Sequence, residues 1–221
     1  SYSPNGIIGE KDACGVGFVA NVEGIESNWI LKQSLKGLNC MEHRGGCGGD
    51  SDSGDGAGIL CSIPWGYLEE KINLKNTQEF NRGLGMVFMP NKKEKIEICK
   101  SICDEEAEKL KVNKTSWRTV PVNNEILGPL AKANAPFICQ WILYIDKKDH
   151  KDVERLLFQL RKRIEKKIRE TFKNDVGDCE FYFASLSSQT VVYKGMVRSE
   201  ILSEFYQDLK EESFKVSFSV Y

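Results

Sequence analysis

Long apolar runs, an excess of charge of either sign, and histidine are all scarce in this 221-residue sequence. The longest apolar stretch runs from Phe137 to Ile145 and is interrupted by Gln140. A membrane-spanning helix needs roughly 20 apolar residues, so none is expected. Lysine and arginine number 31 against 32 aspartates and glutamates, a net charge of −1. That balance excludes a global attraction to nucleic acid or to acidic membranes. The start, Ser1-Tyr2-Ser3-Pro4-Asn5-Gly6, has neither a basic region nor a long apolar run and does not read as a signal peptide. The Walker pattern G-x-x-x-x-G-K-[ST], a Cys-x-x-Cys pair, internal repeats and low-complexity tracts are absent from the sequence.

What is present is a globular composition. Apolar residues make up 41%, enough to bury a core and to exclude wholesale disorder. The length suits one large domain or two small ones. Eight cysteines, at 14, 40, 47, 61, 99, 103, 139 and 179, follow no repeating spacing. A chain of this length does not need a disulfide scaffold, so reduced and mostly buried thiols are expected. The chain opens on Ser1 and closes on the alternating run Phe214 to Tyr221, a strand pattern without a closing turn. Both features suggest a piece of something longer.

Hydrophobic periodicity outlines the elements. A small-residue strand is expected over 15–20 and a helix over 28–43, with Ser27 as N-cap. Strands are expected over 58–63, 84–89 and 138–145, with another possible over 117–122 inside the otherwise loop-like segment 113–136. Helices are expected over 92–110 and 150–173. The second carries Val153, Leu156, Leu157, Leu160, Ile164, Ile168 and Phe172 in register. Residues 180–186 and 189–194 read as a hairpin turning at Ser187-Ser188. A helix near 199–212 and a final strand complete the chain. This grammar favours an α+β fold of stacked sheets flanked by helices over a doubly wound parallel sheet.

Several motifs compete for a chemical role. Gly15-Val16-Gly17-Phe18-Val19-Ala20 spells a dinucleotide fingerprint, but no strand precedes it and no helix directly succeeds it. Asp50-Ser51-Asp52-Ser53-Gly54-Asp55-Gly56 resembles a calcium loop but lacks the required residues at its fifth, sixth and twelfth positions. The glycines over 45–58 mark this stretch as loop. Cys40, His43 and Cys47 are three soft ligands that could form a thiol-rich metal-binding or redox-sensing module, although structural zinc usually takes four ligands. The basic residues of 150–173 are interrupted by Glu154, Glu165 and Glu170, as on a solvated helix face.

Cys14 stands at the junction of an irregular leader and a strand. Cleavage before it would free an α-amine, with pKa near 7.7–8.0, beside a thiol with pKa of about 8.5. One residue would then hold both nucleophile and base. On spacing alone, a structural thiol and a nucleophile both remain open.

Longer stretches are more specific. They are Ala13-Cys14-Gly15-Val16-Gly17-Phe18, Cys40-Met41-Glu42-His43-Arg44-Gly45-Gly46 and Ser53-Gly54-Asp55-Gly56-Ala57-Gly58-Ile59. Pro121-Val122-Asn123-Asn124 through Leu127-Gly128-Pro129-Leu130-Ala131, and Ser185 through Met196, add to them. Together they resemble the N-terminal amidotransferase domain of glutamate synthases, of the large ferredoxin-dependent type of cyanobacteria and plastids.

The resemblance implies a four-layer αββα sandwich of the N-terminal-nucleophile hydrolase type, incomplete at its C-terminus. It implies that residues 1–13 are a leader and 14–221 the class-II glutamine amidotransferase domain. Cys14 would be the nucleophile that hydrolyses L-glutamine, Arg44 would organise the site around it, and the Gly45 carbonyl would accept from the free amine. The groups that bind the glutamine backbone and the oxyanion would lie beyond Tyr221, so this segment alone is expected to lack glutaminase activity. In the full enzyme the ammonia would aminate 2-oxoglutarate, with FMN, a 3Fe-4S iron–sulfur cluster and ferredoxin supplying the reduction. A cyanobacterial cytoplasm or a plastid stroma is the implied location.

Overall fold

The structure, a computed structural model, describes residues 15–41, 56–72, 80–146, 148–173 and 181–221. Two antiparallel four-stranded sheets form its frame. In the first, β3 (Phe80–Met89) and β5 (Phe137–Asp146) pair along their whole length, from Phe80 opposite Asp146 to Met89 opposite Phe137. β4 (Lys114–Thr119) and β6 (Tyr182–Ser187) flank them, giving the order β4-β5-β3-β6. The apolar run of β5, broken only by Gln140, has a direct cause, since both faces of the strand are covered. Leu84, Met86, Phe88, Ile138 and Ile142 belong to the core shared with the second sheet. Val87, Met89, Cys139, Trp141, Leu143 and Ile145 belong to a separate core with two helices, α3 (Lys93–Lys109) and α5 (His150–Thr171).

These helices present apolar stripes at three- and four-residue steps. Ile96, Cys99, Ile102, Cys103 and Ala107 come from α3, and Val153, Leu156, Leu157, Leu160, Ile164 and Ile168 from α5. The cations of α5 form ion pairs: Arg161 with Glu165, and Arg163 with Glu106 of α3 at 2.7 Å.

The second sheet has the order β1-β8-β2-β7, from β1 (Phe18–Ala20), β8 (Phe218–Val220), β2 (Ala57–Ser62) and β7 (Thr190–Gly195). Helix α1 (Asn28–Asn39) lies against β1, β8 and β2. Helix α2 (Trp65–Ile72) comes directly after β2. Two short helices, α4 (Pro129–Ala133) and α6 (Leu202–Phe205), complete the set with 3-10 turns at Asn124–Ile126, Ser199–Ile201 and Gln207–Lys210. Among the described residues, no helix is long and apolar enough to cross a membrane.

The α+β expectation of two stacked antiparallel sheets with helices holds, and four local readings need correction. First, β6 and β7 do not form a hairpin ladder: β6 pairs with β3 and β7 with β2, so the turn between them carries the chain from one sheet to the other. Glu154 of α5 holds that turn, accepting from Ser187 Oγ at 3.1 Å and from the Ser188 amide and hydroxyl at 2.7 Å each.

Second, the helix expected over 199–212 is broken. Tyr206 turns extended and bridges Val122, while Asn123 N donates to Phe205 O and Gln207 N to Pro121 O. Pairing with 121–123 therefore replaces the helical ladder. Third, Ser27 occupies the N-cap position of α1, but its side chain makes no cap bond, and its backbone pairs with Val216 instead. Fourth, α2 is an element that periodicity does not predict, and the fourth strand covers 114–119 instead of 117–122.

Candidate active site

At one end of the two sheets lies a cavity of about 810 Å³. Its wall is assembled from segments far apart in sequence: Gly15 and Val16 leading into β1, Leu38 in the last turn of α1, and Gly56 to Leu60 at the start of β2. Gly195 at the end of β7, with Met196 and Val197 after it, closes another side, and Phe88 and Ile138 from the first sheet form part of the wall. Most of the lining is apolar, with Asn134, Tyr182, Lys194 and Tyr221 as polar exceptions. The Lys194 ammonium lies over the Tyr182 ring, 5.0 Å from its centroid, and its carbonyl accepts from Tyr206 Oη at 2.7 Å.

Glycines keep this wall thin. A Cβ on Gly58 would lie 2.8 Å from Lys194 Cβ and 2.9 Å from the Tyr193 carbonyl, so β2 and β7 can approach only without one. Gly56 adopts φ +138°, which L side chains rarely adopt. Gly17 pairs with Tyr221 through two backbone hydrogen bonds, Gly17 N to Tyr221 O at 2.7 Å and Tyr221 N to Gly17 O at 2.8 Å. Its lack of a side chain makes room for the Tyr221 ring. The glycine pattern that spells a nucleotide fingerprint therefore has a packing cause, and it leads into an antiparallel strand instead of a helix.

The three residues expected to carry chemistry, Cys14, Arg44 and Gly45, lie outside the described residues. So do His43, Cys47 and the 50–55 stretch. Cys40 is described and is exposed just beyond α1. Among the described residues, no group of three histidine, cysteine, aspartate or glutamate side chains is placed to hold a metal ion, so the metal-module reading gains no support.

Sequence reasoning missed a polar cluster buried between the sheets. Arg118 of β4 donates to Asp208 from both terminal nitrogens, Nη2 to Oδ1 at 2.7 Å and Nη1 to Oδ2 at 2.8 Å. Tyr67 Oη donates to Asp208 Oδ1 at 2.7 Å and Tyr193 Oη to Oδ2 at 3.1 Å. Gln140 joins the set, with Nε2 donating to Tyr193 Oη at 2.8 Å and Oε1 accepting from Arg118 Nη1 at 2.7 Å.

Asp208, Gln140 and Tyr193 are fully buried. Burial works against the Arg118 charge, but the hydrogen bonds and charge of Asp208 outweigh it and hold the guanidinium protonated above its usual range. Burial, reinforced by the Asp208 charge, pushes both the Tyr67 and Tyr193 phenols up, which keeps them protonated as donors. A paired and fully hydrogen-bonded buried charge of this kind ties elements together. No sequence signal marks it, because Arg118 and Asp208 are 90 positions apart.

Residues 14–221 match the glutamine amidotransferases class-II family. The chain belongs to the class-II glutamine amidotransferases. The matched region of this amidotransferase begins at Cys14. Among curated proteins, the chain is 43% identical over 221 residues to "Ferredoxin-dependent glutamate synthase, chloroplastic" of Oryza sativa subsp. japonica, covering 98% of this chain and 13% of that protein. It is 42% identical over 219 residues to "Ferredoxin-dependent glutamate synthase 2" of Synechocystis sp., covering 97% of this chain and 14% of that protein. The chain thus spans only 13–14% of the length of these relatives.

The class-II amidotransferase fold is the N-terminal-nucleophile sandwich, which accords with the two antiparallel sheets of this chain. Within this amidotransferase, the other described thiols suit packing. Cys61, Cys99, Cys103 and Cys139 are buried. Burial raises the Cys61 and Cys103 thiols well above their usual range and pushes Cys139 up to about 11. Thiols held protonated in this way are poor nucleophiles at neutral pH.

Proposed function

We propose that this chain is the glutamine-hydrolysing part of a ferredoxin-dependent glutamate synthase. Residues 1–13 are a leader removed on maturation, and 14–221 form its amidotransferase domain, with Cys14 as nucleophile. One observation carries the reading. Gly15 and Gly56 directly adjoin Cys14 and the 50–55 stretch in sequence, Leu38 lies six positions before Arg44, and all three line a single cavity. The family match that begins at Cys14 supports the leader boundary.

The chemistry is amide hydrolysis by a nucleophile that carries its own base. Cys14 Sγ attacks the side-chain carboxamide carbon of glutamine while the thiol proton passes, through a water, to the α-amine. That amine titrates near 7.7–8.0 and is therefore matched to neutral pH. The tetrahedral oxyanion requires fixed donors. It collapses as the amine returns the proton to the departing nitrogen, releasing ammonia and leaving a thioester. Water, deprotonated by the same amine, then releases glutamate and restores the thiol. Arg44 orders the site around the new N-terminus, and the Gly45 carbonyl accepts from the amine.

In the full enzyme the ammonia would go to 2-oxoglutarate, and FMN, a 3Fe-4S cluster and ferredoxin, held outside this chain's described residues, would supply the reducing electrons. The described cysteines do not fit a cluster: they are buried in core positions, apart from Cys40. A plastid stroma or a cyanobacterial cytoplasm is the corresponding location.

The test uses the full-length protein. Intact-mass analysis should give Cys14 as the mature N-terminus, and a glutamine-analogue electrophile should label Cys14 alone. Cys14→Ser should abolish glutamine-dependent glutamate formation and spare the ammonia-dependent reaction. Full glutamine-dependent turnover with the leader still attached would overturn the reading.

A further inference from the structure

β1 has three residues and, among the described residues, lies at the edge of its sheet and pairs with β8 alone. The segment ahead of it, which leads back to Cys14, therefore needs another anchor. The structure supplies one in Tyr221. Its backbone closes two hydrogen bonds with Gly17, extending the β1–β8 ladder by one residue toward Cys14. Its ring is seated against two glycines at once. A Cβ built on Gly17 would fall 2.5 Å from Tyr221 Cζ, and one built on Gly37 would fall 2.4 Å from Tyr221 Oη. Both distances are below any real carbon contact, so the ring fills the space that side chains at 17 and 37 would take. Gly37 lies in α1, next to the cavity-lining Leu38. One ring therefore sets the spacing between the strand that comes after Cys14 and the helix that precedes Arg44.

We propose that Tyr221 is a positioning residue for glutamine hydrolysis, fixing the separation of α1 from β1, the strand that follows Cys14 in sequence. The inference rests on the reading of Cys14 as nucleophile. It gives Tyr221 no contact with the reacting atoms. Misplacement of a reacting group by about 1 Å can cost on the order of 100-fold in rate, so a spacer of this kind should act on kcat.

The test compares Tyr221→Phe, Tyr221→Ala, Gly37→Ala and the double variant Gly37→Ala with Tyr221→Ala, all in the full-length enzyme. Tyr221→Phe, which keeps the ring, should stay within about threefold of the parent kcat for glutamine. Tyr221→Ala and Gly37→Ala should each lower that kcat by roughly 10- to 100-fold, with a smaller change in KM. The double variant should be no worse than Tyr221→Ala alone, because the three atoms nearest to the new methyl all belong to the ring that is removed. Ammonia-dependent glutamate formation should be unchanged throughout.

A parallel fall in ammonia-dependent activity would make Tyr221 merely structural and overturn the proposal, as would a Gly37→Ala enzyme with parental kcat. Multiplicative losses in the double variant would do the same. Cys14→Ser separates the two levels. If it still turns over glutamine, the nucleophile reading fails. If it is inactive while Tyr221→Ala remains parental, only the positioning role fails.

Discussion

The two sheets each have four strands, but they are built to different ends. In β4-β5-β3-β6 the central ladder runs ten residues, and both faces of β5 are covered. Trp141 is fully buried, stacks on Trp117 with centroids 5.3 Å apart, and donates from Nε1 to Asp104 at 3.0 Å. In β1-β8-β2-β7 the paired strands β1 and β8 have only three residues each, glycines thin the cavity wall, and Val16 and Phe18 are 78% and 76% exposed. The first sheet is a packed support. The second gives up packing to let backbone segments approach one another around a cavity. The Arg118–Asp208 cluster joins the two, drawing on β4, β5 and β7 together.

The largest way to break this contrast is to cut the joint. Asp208→Ala strands a guanidinium whose side chain is only 11% exposed, and it should destabilise the domain by about 3–5 kcal/mol in denaturant unfolding. A loss below about 1 kcal/mol would mean that the sheets do not depend on the shared charge. Trp141→Phe probes the support alone. It removes the Asp104 bond and part of the Trp117 stacking, and should cost about 1–3 kcal/mol with glutamine KM unchanged.

A pair of glycines sharpens the contrast further. Gly58→Ala forces a methyl against β7 and should cost about 1–3 kcal/mol. Gly66→Ala in α2 meets nothing within 4 Å and should gain up to about 1 kcal/mol.

The smallest effect is a pH dependence in the helix layer. Lys109 and Arg163 hydrogen-bond Glu106 and hold its carboxyl below the usual range despite burial. Its folded value is therefore depressed. The contribution is full above the ordinary glutamate pKa of about 4.3 and is lost as pH falls through the folded value. Glu106→Gln should cost a few tenths to about 1 kcal/mol at pH 7, and the gap to the parent should close toward pH 3 in unfolding titrations.

How much of the molecule is legible in the sequence depends on how local each cause is. β5 and α5 are legible because an apolar run broken only by Gln140 and a 3.6-residue stripe each report burial that the element itself encodes. The candidates Cys14 and Arg44 come from long motifs, not from periodicity, and lie outside the described residues. The β6–β7 reading fails because strand, Ser187-Ser188, strand looks the same whether the second strand returns to its neighbour or crosses to another sheet. The helix over 199–212 fails because its interruption comes from residues 121–123, far away in sequence. α2 is only eight residues long, too short for a periodic pattern to stand out. Arg118 reads as an ordinary strand cation, and Gly17 as part of a fingerprint. Their partners, Asp208 and Tyr221, become neighbours only on folding.

The grip of Glu154 on the Ser187–Ser188 crossing has a mechanical consequence. The chain passes from one sheet to the other at a point clamped by a helix of the support layer, so shear between the sheets must first tear three hydrogen bonds from a single carboxylate oxygen. A pull on the cavity side is therefore passed to α5 as a load instead of being absorbed as slip.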